Sequence, residues 1–233
     1  VEAIFGELTS NRNEMLFWMI LISVLGLIVC SMGLQNGVEK MTKFMMSSLF
    51  VIMLILVVRA TTLDGAVDGL KFYLLPDFGK MAENGFKEAV FAAMGQSFFT
   101  LSVGIGALAI FGSYIGKERR LTGEAISITV LDTVVALVAG LIIFPSCFAF
   151  DVNPGQGPGL VFVTLPNVFR EMAGGRIWGA LFFLFMSFAA FSTIIAVFQN
   201  IIQFARDMWG ISLKKSVLIN GVLLILLAVP CVL

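Results

Sequence analysis

Between Glu88 and Lys117 lie 28 consecutive residues, Ala89 to Gly116, without a charge. About 20 predominantly apolar residues suffice for a helix to cross a bilayer, so a run of this length directs the chain to a hydrophobic solvent. The run is nevertheless a poor uniform helix. Gln96, Ser97, Thr100 and Ser102 gather near its centre, and Gly104 and Gly106 follow. Glycine costs roughly 1 kcal/mol against alanine in a helix interior. A helix that loosens here exposes backbone N–H and carbonyl groups, which hydrocarbon tolerates only where they face protein or a watery cavity. Two arrangements meet that condition. One is a helix broken at midplane around a binding site; the other is close packing of small residues against a neighbouring helix.

The rest of the chain repeats the pattern. Charged residues make up 13% of it and hydrophobic ones 59%, whereas soluble domains average about 25% charged. With a mean hydropathy of +1.00, the expected fold is an all-α polytopic membrane protein. Its crossings are read at about 15–34, 44–60, 89–115, 124–150, 176–205 and 216–233, the third unwound near its centre, within a single transmembrane domain over 1–233. Residues 1–14 read as an extramembrane loop, and Glu39, Lys40 and Lys43 as a short charged turn. The loop 60–87 carries the aromatic anchors Phe72 and Tyr73. The loop 151–175 is expected to hold a short helix near Pro166–Met172. The chain opens at Val1 without a signal peptide and stops inside an apolar run at Leu233, so it is expected to be part of a longer protein.

Alternate loops differ in charge. One set holds eight basic and four acidic residues, the other seven basic and ten acidic. The positive-inside bias places the first set in the cytoplasm and the loops 60–87 and 151–175 outside, in a multi-pass protein of the cell (plasma or inner) membrane. Zero net charge gives no reason to expect a nucleic-acid partner. The chain has no His, its three cysteines lack metal-ligand spacing, and no paired carboxylates lie at midplane. Little remains with which to run catalysis, so the chain is not read as an enzyme. Cys30, Cys147 and Cys231 read as packing residues.

Three further positions carry potential chemistry. Asp132 is the one acid deep in an apolar segment, and an ionised carboxylate there costs about 2.5–3.5 kcal/mol even on the lenient insertion scale. It needs a cation, a proton or a hydrogen-bond network. Ser192 and Thr193 lie mid-span and offer hard oxygens suited to a small cation, or else bond back to the preceding turn. Phe98 and Phe99 either wall a pocket or pack. Tyr114 reads as an interfacial anchor and Asp207 as a solvated loop acid.

Phe98-Phe99-Thr100-Leu101-Ser102-x-Gly104-x-Gly106 resembles the unwound sixth helix of the neurotransmitter:sodium symporter family. Three more stretches resemble it in the same order: Gly37-Val38-Glu39-Lys40, Gly157-Pro158-Gly159-Leu160 through Thr164-Leu165-Pro166, and Phe188-Ala189-Ala190-Phe191-Ser192-Thr193. The resemblance covers essentially the whole chain and corresponds to the fourth through early ninth helices of a leucine-transporter-like inverted-repeat bundle. It is nearest in style to the bacterial amino-acid symporters.

That resemblance implies sodium-coupled symport of an amino acid by alternating access. Phe99 would cap the substrate, and the backbone around Phe99, Thr100 and Ser102 would bind its amino group. Ile105 stands where the bacterial leucine transporter type carries Phe, so a deeper pocket would take larger aliphatic or aromatic amino acids. Thr193 and Val197 would line the opposite wall. Thr100 and Asp132 would ligate a first sodium, and the Ala189 carbonyl with Ser192 and Thr193 a second. Tyr114, Gln199 and Asp207 match the cytoplasmic gate. Gln96 matches a residue near the chloride site of eukaryotic members, but Ala136 stands where members place Ser or an acid. The expectation is chloride-independent transport, the fixed charge of Asp132 replacing the anion, with proton coupling left open. No organic cofactor is implied. The partners implied are the amino acid, the lipid bilayer and the missing N-terminal helices of the same protein; a homodimer is also admitted. The alternative is a non-transporting assembly or sensor subunit of the same fold, which would not require the polar midplane cluster.

Overall fold

The computed structural model describes residues 2–79, 81, 85–116, 118, 120–153, 159, 161–162, 165–166, 169 and 174–232. Most of the helix expected near Pro166–Met172 and most of the Gly157–Thr164 motif lie outside these residues. In chain order the described helices are α1 Glu2–Ser10, α2 Arg12–Ser31, α3 Glu39–Thr61, α4 Ala66–Leu74, α5 Phe86–Thr100, α6 Ala107–Ser113, α7 Leu121–Ala149, α8 Gly175–Trp209 and α9 Leu213–Ala228. A π-helical turn, Leu34–Val38, joins α2 to α3, and a 3-10 turn, Val229–Cys231, follows α9.

Five of these segments are long and apolar enough to cross a membrane: α2, α3, α7, α8 and α9 with its 3-10 extension. Helices satisfy every backbone group within the segment, which is why apolar runs of this length fold this way in lipid. The third expected crossing is present as two shorter helices, α5 and α6, of 15 and 7 residues.

Three stretches read as loops contain helix. Glu39, Lys40 and Lys43 form the opening turns of α3, where the Lys43 ammonium pairs with Glu39 at 2.7 Å one turn away. Such i,i+4 pairs support a helix rather than a turn. Residues 66–74 form α4 and residues 2–10 form α1. Cys30 and Cys147 are buried, as packing requires, but Cys231 is exposed.

The chain divides into two compact units, Val1–Ile52 with Gly155–Leu233, and Met53–Pro154. The first is built from α2, α8 and α9 and the π-turn. Lipid tails are as apolar as leucine, so close packing rather than hydrophobicity must hold such helices together. Accordingly, Gly26 of α2 admits the Phe198 ring of α8, and Gly221 of α9 admits Leu27. Leu27, Val29 and Cys30 meet Val38, Met45, Ile195 and Ile202 in one buried cluster. The Cys30 thiol donates to the Ile195 carbonyl at 3.7 Å.

In the second unit α4 lies on the C-terminal half of α7. Phe72 packs on Phe144 and Phe148, with ring centroids 5.7 and 5.1 Å apart. Tyr73 stacks on Phe144 at 4.7 Å and 16°. These two aromatics, read as interfacial anchors, are helix-packing residues. Gly69 makes the approach possible: a Cβ there would stand 2.6 Å from the Phe144 carbonyl oxygen.

Candidate functional site

The helical ladder of α5 stops at Thr100 because two consecutive demands break it. Val103 N–H turns back to the Phe98 carbonyl at 3.2 Å, one residue beyond the α-helical partner. Ser102 then takes a left-handed backbone conformation, φ 52°, which costs a residue with a Cβ roughly 1–2 kcal/mol. Gly106, φ 67°, begins α6 in the same region, where glycine pays no such cost. Helical bonds resume when Ala109 and Ile110 donate to the Gly106 carbonyl at 3.0 and 3.2 Å. The segment 101–106 is therefore a true interruption, with left-handed residues at its second and last positions, Ser102 and Gly106. The helix is broken where the polar residues and glycines gather.

The side chains around the break are largely uncovered. Helix α5 has no buried residue among those described, and Phe99 is 82% exposed. Phe98 and Ile105 are exposed as well, and Ser102 is half-buried. Thr100 donates from Oγ1 to the Gln96 carbonyl at 2.8 Å and accepts from Gln96 Nε2 at 3.2 Å. Gln96 thus fixes the Thr100 hydroxyl at the rim of the break. Tyr114 follows α6 and is exposed.

Asp132 occupies the middle of α7 and is half-buried. Among the described residues its carboxylate makes no hydrogen bond or ion pair. A carboxylate in that situation keeps its requirement for a cation or donor. Ala136, one turn on, offers no side-chain polar atom.

In the other unit, Ser192 and Thr193 both donate to the Ala189 carbonyl, at 2.8 and 3.1 Å. This is the back-bonding pattern of membrane-helix hydroxyls. It also gathers three hard oxygens on one face of α8. Ser192, Ala189 and Val197 are half-buried and Thr193 is exposed. Further along, Gln199 is 1% exposed and its Oε1 meets no donor among the described residues. Asp207 accepts from Gln203 Nε2 at 2.8 Å, and Arg206 Nη1 donates to Gln203 Oε1 at 2.9 Å. Gln199 and Asp207 are eight residues apart on this helix, with Gln203 midway. Gln203 was not singled out in the sequence; its spacing of four residues from each neighbour was the available signal.

The chain matches the sodium:neurotransmitter symporter family over residues 7–233. It belongs to that family. This chain is 33% identical over 229 residues to the sodium-dependent transporter YhdH of Bacillus subtilis, itself uncharacterized, covering 98% of this chain and 50% of that one. It is 30% identical over 209 residues to the sodium-dependent nutrient amino acid transporter 1 of Drosophila grimshawi, covering 82% and 32%. Among solved structures it resembles MhsT in complex with L-phenylalanine, at 36% identity and a TM-score of 0.85, over 98% of this chain and 51% of MhsT. The chain thus spans about half the length, or less, of these relatives. It has the all-helical fold of the family, whose members are multi-pass membrane transporters and not enzymes.

Proposed function

We propose that the protein containing this symporter chain carries a hydrophobic or aromatic amino acid inward with sodium, by alternating access, across the cell membrane. The observation that carries this reading is the break at 101–106, a length of unwound backbone inside an otherwise apolar crossing. Unwound backbone presents N–H dipoles to an anionic group and carbonyls to a cation or an ammonium, which suits a zwitterion beside sodium. The likeness to MhsT, solved with L-phenylalanine, supports an aromatic substrate, as does Ile105 where a bulkier residue would shorten a pocket.

Sodium is here a transported substrate. Thr100 and Asp132 are assigned to one sodium. The Asp132 carboxylate is without a partner among the described residues, and Gln96 holds the Thr100 hydroxyl. Ala189, Ser192 and Thr193 are assigned to a second, because their oxygens already converge. All are hard oxygen donors, the type sodium prefers. Phe99, Thr100, Ser102 and Ile105 are assigned to the amino acid, and Thr193 and Val197 join them on the family resemblance. Tyr114, Gln199 and Asp207 are assigned to the inner gate. The bareness of α5 supports helices from elsewhere in the protein packing on it.

The mechanism is linkage. Sodium neutralises the carboxylate and orders the unwound segment, so the amino acid binds a state whose ordering cost is already met. Each sodium entering at −100 mV gains about 2.3 kcal/mol, which drives accumulation. The test is uptake of labelled L-phenylalanine into vesicles holding the full-length protein, with sodium outside or replaced by potassium. Uptake above the empty-vesicle level only in sodium is expected. Equal, background uptake in both, across the twenty amino acids, would leave the assembly or sensor reading in its place.

A further inference from the structure

Helix α7 contains two weak points between Asp132 and its C-terminal end. Pro145 lies inside it; proline has no N–H, so the Leu141 carbonyl loses its usual donor and is crowded by the ring. Gly140 is the second. Helix α4 lies along this stretch. Its Gly65 would place a Cβ 3.4 Å from Ala149 Cα, and its Gly69 faces the Phe144 carbonyl and Pro145 Cα. Tyr73 reaches furthest toward Asp132. Its ring fills the space that a Cβ on Gly140 would need. Its hydroxyl lies 3.3 Å from the Leu137 carbonyl oxygen and 3.4 Å from that of Ala136, a long contact that either carbonyl can accept. Ala136 is one helical turn from Asp132.

We propose that Tyr73 is a positioning residue for the Asp132 carboxylate. Helix α4 splints α7 across its Gly140–Pro145 weakness, and the Tyr73 hydroxyl fixes the turn that follows Asp132. Cover alone would need only the ring, which already stacks on Phe144. The hydroxyl adds a hold on the Ala136 and Leu137 carbonyls, four and five residues beyond the acid on the same helix. The inference rests on the assignment of Asp132 to sodium, and it makes a loop helix part of the sodium affinity.

The experiment uses the full-length protein in proteoliposomes, with labelled L-phenylalanine binding titrated against sodium. Tyr73→Phe keeps the ring and removes the hydroxyl. It is expected to raise the half-saturating sodium concentration about 3- to 10-fold, the range one net hydrogen bond supplies. Phenylalanine affinity at saturating sodium is expected to stay within about twofold, while amide exchange over residues 132–140 rises without any ligand. Phe72→Leu perturbs the same α4–α7 contact without touching a hydroxyl and is expected to leave the sodium dependence unchanged. An unaltered sodium titration in Tyr73→Phe, or an equal shift in Phe72→Leu, overturns the proposal. Loss of all sodium dependence in the unsubstituted protein would instead overturn the transport reading and this inference with it.

Discussion

The Ser216 hydroxyl donates to the Ile202 carbonyl across 2.9 Å, from one helix to the next. Ser216 is wholly buried, and Asn220 Nδ2 donates both to its carbonyl, at 2.9 Å, and to its Oγ, at 3.1 Å. One hydroxyl therefore joins α9 to the stretch of α8 that carries Gln199 and Gln203. Ser216→Ala removes the link and leaves Asn220 short of an acceptor. Interhelical hydrogen bonds in membranes average about 0.6 kcal/mol and reach about 1.7, so a loss of about 1 kcal/mol is expected, read as a lower midpoint in thermal unfolding of the full-length protein.

The two left-handed residues at the helix break should respond in opposite ways. A Cβ on Gly106 would meet no atom within 4 Å, yet φ is +67°. Gly106→Ala should cost about 1 kcal/mol through the backbone alone. Ser102→Gly relieves the same strain at φ 52° and should be neutral or mildly stabilising, while Ser102→Val should be worse than either. Unfolding midpoints of the three variants give the order directly.

Ser192 and Thr193 already satisfy each other's neighbourhood through the Ala189 carbonyl, so their deletion separates two roles. If the oxygens serve sodium, Ser192→Ala and Thr193→Val each raise the sodium concentration for half-maximal uptake about tenfold, equivalent to 1.4 kcal/mol. Thr193→Ser should retain most of the affinity. Simple back-bonding would leave the sodium curve where it is.

Asp132→Asn tests the fixed charge. With the acid present, uptake is expected to be the same in chloride and in gluconate. The amide keeps an oxygen for sodium but removes the negative charge, so uptake should fall in gluconate and recover in part with chloride. Equal rates in both media for the variant would remove the anion-replacement idea.

Much of the architecture was legible because long uncharged runs have few ways to fold in lipid. The interruption near Ser102–Gly106 was legible too, since polar residues and glycines cluster where a plain helix would carry aliphatics. What escaped was set by contacts across the fold. Nothing local marks Tyr73 as the residue that fills the notch at Gly140, or Ser216 as the donor to Ile202. Helix α4 was hidden because its short apolar face, with Gly69, has meaning only against α7. The convergence of Ser192 and Thr193 on Ala189 was within reach of the sequence, for i−3 and i−4 spacing follows from helix geometry alone.

The π-turn at Leu34–Val38 sets the rotational phase of the first turns of α3. Gly33 accepts from both Gly37 and Val38, at 3.0 and 3.2 Å, so the turn holds one residue more than an α-helical one. Removing a single residue there would advance α3 by about 100°. Met45 and Leu49, now buried at 2% and 4% exposure, would swing toward lipid, and the exposed Phe44 and Met46 would be rotated with them.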